Sequence, residues 1–251
     1  MKDIAVFPVD RLDLVFEPKH WTFADERRAE IDAWFAEMRR ARPALWNGRV
    51  LLMHRQVVTD GVFRGAFLET DYASFAAWKA WGMPRAGVHD CFGAAVVVGA
   101  DDAVLLGVMG PHTFNAGMIY FPCGTPDPDD LVDGKVDLDG SIRRELREET
   151  GLDADEFIAE AGWATVVDGT LIAHLKVLRG SEDAAVLRAR MMQHLAREER
   201  PELADIVIVR GPDDFDAAMP RFVTAFLETH FGPGRCPRHL PKPGRARELA
   251  P

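Results

Sequence analysis

The chain has 251 residues, 47% of them hydrophobic, with a formal net charge of −10 and an isoelectric point near 5.3. That hydrophobic content can build a core, which excludes global disorder. The acidic balance excludes a surface made to bind nucleic-acid phosphates, but not a nucleotide ligand held through a divalent cation.

The opening stretch "MKDIAVFPVDRLDL" has no apolar signal-peptide core, so a cytoplasmic protein is expected. "VDRLDLVFEP" (9–18) alternates as a strand does. "ADERRAEIDAWFAEMRRARP" follows as a helix, with Ile31, Trp34, Phe35 and Met38 on one apolar face, Asp25 as cap and Pro43 as stop. Residues 49–70 read as a β-hairpin turning at Asp60-Gly61, a pair that tolerates positive φ at both positions. A short helix over 71–82 ends at Gly82 and Pro84, and its Trp78 and Trp81 fit a core better than a base-stacking platform. Residues 1–85 thus form a small N-terminal α+β unit.

A second unit is expected over 86–232. It begins with strand, tight turn and strand over 92–110, an apolar stretch that Asp101 and Asp102 interrupt, so it is no membrane span. A third strand, 116–124, runs into Gly124. "TPDPDDLVDGKVD" then reads as a loop. After the glutamate-rich segment come a hairpin turning at Asp168-Gly169, a helix over about 183–199, a strand "DIVIVRG" and a last helix carrying Phe215 to Leu227, in which Pro220 is either a kink or the true start. Residues 233–251 form a basic, proline-rich tail. Its Cys236 and His239 stand at CxxH spacing, but two ligands make a weak metal signal. Cys91, Cys123 and Cys236 form no CxxC pair, which suggests neither a disulfide framework nor a zinc site.

The segment "RRELREETGL" (143–152) carries the chemistry. On a helix, Glu145 and Glu149 lie about 40° apart around the axis and Glu148 about 60° to the other side, so three carboxylates converge. Arg144 stands four residues before Glu148 and can pair with it. Asp137 can cap the helix and Gly151 can close it in the left-handed conformation. An isolated run of this kind is usually a solvated face. Three converging carboxylates after a long loop also suit a hard divalent cation, which takes oxygen ligands and holds phosphate oxygens beside them.

"RELREETGL" (144–152) resembles the second half of the Nudix box, arginine-glutamate-aliphatic-any-glutamate-glutamate-any-glycine-aliphatic, at every specified position. The order of elements over about 89–232 is also similar to a Nudix domain. The resemblance implies an α/β/α sandwich with a mixed sheet. The first half of the box departs from the pattern: its glutamate slot falls on Val136 and its glycine slot on Asp130. Gly124 is the better glycine, with about six extra residues in the loop.

The resemblance further implies Mg²⁺ or Mn²⁺ held by Glu148 and Glu149, with Glu145 as a further ligand or as the group that orients and deprotonates the attacking water. Arg144 would hold a glutamate in place, and the Gly124 carbonyl would add an oxygen ligand. A further glutamate is expected from Glu198, Glu199 or Glu202, with Glu199 preferred. The implied activity is a metal-dependent pyrophosphohydrolase acting on a nucleoside diphosphate derivative. A faint likeness of the stretch around Trp46 and Asn47 to UDP-sugar-hydrolysing relatives ranks nucleotide sugars first. The first unit would add substrate contacts or the surface of a homodimer; no nucleic-acid or membrane partner is expected. Val136 favours a rival reading, an inactive Nudix-like domain that senses a nucleotide or binds a protein; the complete glutamate set opposes it. His54 and His174 fall inside strand patterns, as core positions.

Overall fold

The computed structural model describes residues 4–43 and 45–232. The chain opens with strands β1 (Ala5–Val9) and β2 (Arg11–Phe16), then helices α1 (Thr22–Glu26) and α2 (Arg28–Ala41). The hairpin β3 (Arg49–Thr59) and β4 (Val62–Asp71) leads into α3 (Tyr72–Ala80). Next come β5 (Asp90–Val98), β6 (Val104–Met109), β7 (Ile119–Tyr120), β8 (Cys123–Gly124), β9 (Leu131–Val132), β10 (Lys135–Val136) and helix α4 (Leu138–Thr150). The chain continues through β11 (Ile158–Ala159), β12 (Trp163–Asp168), β13 (Leu171–Arg179), α5 (Ala184–Leu195), β14 (Leu203–Val209) and α6 (Arg221–Phe231).

Two mixed sheets result. The larger has the order β1-β12-β13-β5-β6-β14, with β13 and β5 parallel and its other neighbours antiparallel; β8 pairs with β5, β7 with β6 and β11 with β13. The smaller has the order β3-β4-β2-β10-β9. Helices cover both faces of the larger sheet. Phe92 and Gly93 are consecutive in β5 and so point to opposite faces. Phe92 meets Phe222 of α6, while a Cβ at Gly93 would meet Ile142 of α4. Helices therefore flank the sheet as an α/β/α sandwich.

His174 pairs in register with Gly93 and shares its face, and there it packs edge-on against Phe63 of β4, ring centroids 4.4 Å apart. The smaller sheet thus lies beside α4 on the larger one. Alternation along β3 assigns its two faces: Leu51 and Met53 join the core between the sheets, while Val50 and Leu52 pack with Phe75 and Trp78 of α3. Trp78 is fully buried and its Nε1–H donates to the Pro84 carbonyl, which makes it a core residue.

Local chemistry explains where the elements differ from the sequence reading. The strand expected over 9–18 is two strands that leave Asp10 in opposite sheets, because β1 pairs with β12 and β2 with β4. The helix expected from Asp25 is broken at Arg27 into α1 and α2. The segment taken for a strand over 116–124 holds the two short pairings β7 and β8. The stretch read as loop over 125–137 contains a 3-10 turn at Pro128–Asp130 and a tight hairpin, β9–β10, whose Asp133 and Gly134 adopt φ of 50° and 75°. Asp60-Gly61 turns with φ of 52° and 73°, as a type I′ pair does. Pro220 marks the start of the last helix, leaving Phe215 and Met219 ahead of it. Strand pairing crosses the boundary expected at residue 85: β1 joins the larger sheet, and β10 joins the smaller. The tail at 233–251, with Cys236 and His239, lies outside the described residues.

Candidate active site

Helix α4 carries the glutamates in its C-terminal half and is capped at both ends. Asp137 caps it, its side chain accepting the Gly140 N–H at 3.0 Å, and Gly151 ends it at φ 71°. Ile142 and Leu146 anchor it in the main core. This leaves Glu145 and Glu149 on a face turned towards Cys123–Gly124, and Glu148 exposed at the rim.

Glu149 is buried, accepts the Cys123 N–H, and has an Oε2 with no hydrogen-bond partner. Burial pushes its carboxyl well up, and the charges of Glu202, Glu145 and Glu148 push it further. Burial likewise raises Glu145 to about 7, opposed by Arg144 and reinforced by Glu148 and Glu202. Gly124 lies so close to Glu145 that a Cβ at this position would overlap the carboxylate. The absence of a side chain is what lets backbone and carboxylate meet.

Arg144 organises one side of the cluster. Its Nη1 donates to Glu145 Oε1 at 2.8 Å and lies 3.6 Å from Glu148 Oε2. Its Nη2 donates to Asp130 Oδ1 at 3.0 Å. Asp130 is buried, and its Oδ2 accepts from the Asp127 N–H at 3.0 Å and from the Ser141 hydroxyl at 3.2 Å. Val136, by contrast, is buried in the apolar core between the sheets. Asp130 therefore ties loop to helix, and Val136 takes no part in that tie. Asp130 was counted at the glycine slot; its Asp127-Pro128-Asp129-Asp130 turn, a capping box, is the signal that fixes it.

The carboxylate that joins the cluster from the far end of the chain is Glu202. Glu199 is exposed, and Glu198 pairs with His194 Nε2 at 3.1 Å. Glu202 opens onto the cleft, where the surrounding protein raises its carboxyl, His112 opposing and Glu148 adding. Of the three glutamates expected here, Glu202 lines the cleft, whereas Glu199, the preferred one, is not among its lining residues. Helix α5 ends at Leu195, so helical spacing does not govern residues 196–202.

Beside the cluster lies a cleft of about 980 Å³ whose lining includes Gly124, Glu202, Tyr120, Asn115, Tyr72 and Lys79. Tyr72 and Lys79 come from α3, so the N-terminal segment forms one wall. His174 and His54 take no part in this centre. His174 is fully buried with Nδ1 bonded to Thr165 Oγ1 at 3.0 Å, and burial alone lowers its pKa to about 3.

Among the described residues, no three acidic, histidine or cysteine side chains are already drawn together as a metal cage. The donor set nevertheless fits a hard cation. It offers carboxylate oxygens, one of them buried and without a partner, around a backbone that no side chain obstructs. Glu149, Glu145, Glu148 and Glu202 are the residues that would hold it.

No protein-family profile matches the chain, and no curated protein matches it in sequence. Among solved structures it is similar to a Nudix hydrolase from M. smegmatis, RenU, with 16% identity over 56% of this chain and 82% of that one, and a TM-score of 0.37. It is similar to a MutT protein from Methanosarcina mazei Go1, with 17% identity over 56% of this chain and 91% of that one, and a TM-score of 0.37. It is also similar to a bifunctional NMN adenylyltransferase/ADP ribose pyrophosphatase from Francisella tularensis, with 13% identity over 62% of this chain and 45% of that one, and a TM-score of 0.38.

Proposed function

We propose that this protein is a divalent-metal-dependent pyrophosphohydrolase of the Nudix type, cutting a nucleoside diphosphate derivative at its phosphoanhydride. The observation that carries the reading is the buried, unpartnered Oε2 of Glu149, set among the charges of Glu145, Glu148 and Glu202 beside an open cleft. A purely structural helix face has no reason to bury a carboxylate oxygen without a donor.

Mg²⁺ or Mn²⁺, when bound by these carboxylates, supplies neutralisation of charge on the phosphoryl oxygens and a more acidic water. Glu145 would orient the attacking water and take its proton as the water oxygen bonds to phosphorus. The anhydride P–O bond breaks, and two phosphate-bearing products leave. Arg144 holds Glu145 in the required position through a charge-assisted hydrogen bond and is itself held by Asp130. The cleft has the size of a site for a nucleotide-scale ligand. Nucleotide sugars rank first among the derivatives.

The test is a screen of nucleotide sugars, ADP-ribose, dinucleotides, coenzyme A and NTPs with Mg²⁺ and with Mn²⁺, followed by phosphorus NMR of the products. Hydrolysis that disappears in Glu149→Gln supports the reading. A folded wild type that turns over nothing in the panel with either metal sinks it.

A further inference from the structure

The hydrolase reading assigns none of the basic side chains that line the cleft, Arg42, Lys79 and Arg200, and of these Lys79 of α3 is the one held by a buried carboxylate. Its Nζ donates to Asp90 Oδ2 at 2.9 Å, and Asp90 is buried at the first position of β5. Nζ also lies 5.0 Å from the Phe75 ring centroid. The Lys79 side chain is about one-quarter exposed (26%) and its exposed part opens into the cleft. An ammonium carries three N–H donors. Asp90 takes one in the only hydrogen bond recorded for this group among the described residues, which leaves donors for the cleft.

Its placement relative to the glutamates is the second observation. Lys79 lines the same cleft as Cys123, Gly124 and Glu202. Gly124, against which the Glu145 carboxylate packs, and Lys79 thus face one and the same opening. The lining of the cleft therefore carries both signs of charge, acidic groups suited to a cation and the ammonium of Lys79. A diphosphate has the chemistry such a lining asks for, since some of its oxygens can share a cation with the carboxylates while others accept from an ammonium. Burial lowers the pKa of Lys79, but Asp90 more than reverses this, so the group stays charged.

We propose that Lys79, held by Asp90, anchors a phosphoryl oxygen of the diphosphate substrate, and that α3 thereby makes the N-terminal segment part of the substrate site. This rests on the pyrophosphohydrolase reading for the identity of the ligand. Lys79 is a substrate-anchoring residue and Asp90 a positioning residue that acts through it.

The experiment measures binding of methylenediphosphonate, which cannot be hydrolysed, to the full chain with saturating Mg²⁺ by calorimetry. Mn²⁺ affinity is measured in parallel by electron paramagnetic resonance. Lys79→Met is expected to weaken diphosphonate binding tenfold or more, and Lys79→Arg to stay within about threefold of wild type, by the tenfold-per-lost-charged-contact scale of such anchors. Lys79→Met strands the buried Asp90 carboxylate and can fail to fold. The paired variant Lys79→Gln/Asp90→Asn removes both charges together and is expected to lose the same affinity while Mn²⁺ affinity is unchanged. Diphosphonate binding within twofold of wild type in the paired variant overturns the proposal. So does a parallel fall in Mn²⁺ affinity, or a wild type that does not bind the diphosphonate. Binding that depends on Lys79 in a protein that hydrolyses nothing removes the hydrolase and leaves the anchor. Hydrolysis with unchanged KM in the paired variant does the reverse.

Discussion

Asp130 and Arg144 form the bond that joins the loop to the glutamate helix, Nη2 to Oδ1 at 3.0 Å, with the carboxylate buried and the guanidinium about one-third exposed (36%). Asp130→Ala removes the acceptor for Arg144, Ser141 and the Asp127 N–H together. It should lower stability by roughly 1–3 kcal/mol, read by urea unfolding, and cut turnover at least tenfold through the freed Arg144. Val136→Glu should not compensate. It would bury a carboxylate in the apolar core between the sheets, so a lower melting temperature and no gain in rate are expected.

Glu149→Gln should separate stability from function. The native carboxylate is buried beside like charges, so an amide relieves repulsion. In the absence of metal the variant should melt a few degrees above wild type, on the scale of about 1 kcal/mol for 2–4 °C. Wild type should gain melting temperature with Mn²⁺, and the variant should not. Scanning calorimetry with and without Mn²⁺ checks both. A variant less stable than wild type without metal would contradict the repulsion argument.

Gly124→Ala tests the close approach of backbone and carboxylate. The added methyl must displace the Glu145 side chain. Turnover is expected to fall by about 100-fold, the scale of a 1 Å misplacement at a reacting centre, with circular dichroism unchanged. Glu202→Gln should lower turnover too, whereas Glu199→Gln should leave it within twofold, since Glu199 is exposed and outside the cleft lining.

His174 gives a pH signature unconnected with the cleft. Its folded pKa is depressed to about 3 by burial, so the native protein binds no proton there while the unfolded chain does. The neutral histidine therefore contributes nothing adverse above about pH 6.5. As pH falls from there towards 3, the unfolded state is progressively favoured. Wild type should lose about 2–3 kcal/mol by pH 4.5 relative to His174→Gln. Urea unfolding of the two proteins at pH 7 and pH 4.5 gives the difference; equal losses would refute the assignment.

Features set by local periodicity were legible in the sequence. Glu145, Glu148 and Glu149 share a helix, so 3.6-residue spacing and two caps located them. Asp60-Gly61 announced its turn for the same local reason. What the sequence did not display is long-range. Asp130 reaches Arg144 across fourteen positions through a turn that looks like loop composition, and Lys79 meets Asp90 from another segment. Glu199 and Glu202 could not be told apart because the chain between α5 and β14 has no regular period to orient them. The strand over 9–18 alternated as one element, and nothing in its pattern tells that Asp10 divides it between two sheets.

That division has a consequence for how the protein is made. Ala5 pairs with Val167, and Val15 with Lys135. β1 and β2 thus wait for partners synthesised long after them, and each sheet closes only once those later strands are present. Such distant pairing slows folding and leaves strand edges open to wrong partners in the meantime. A version of the protein cut at residue 85 would therefore yield two fragments, each with an unfinished sheet.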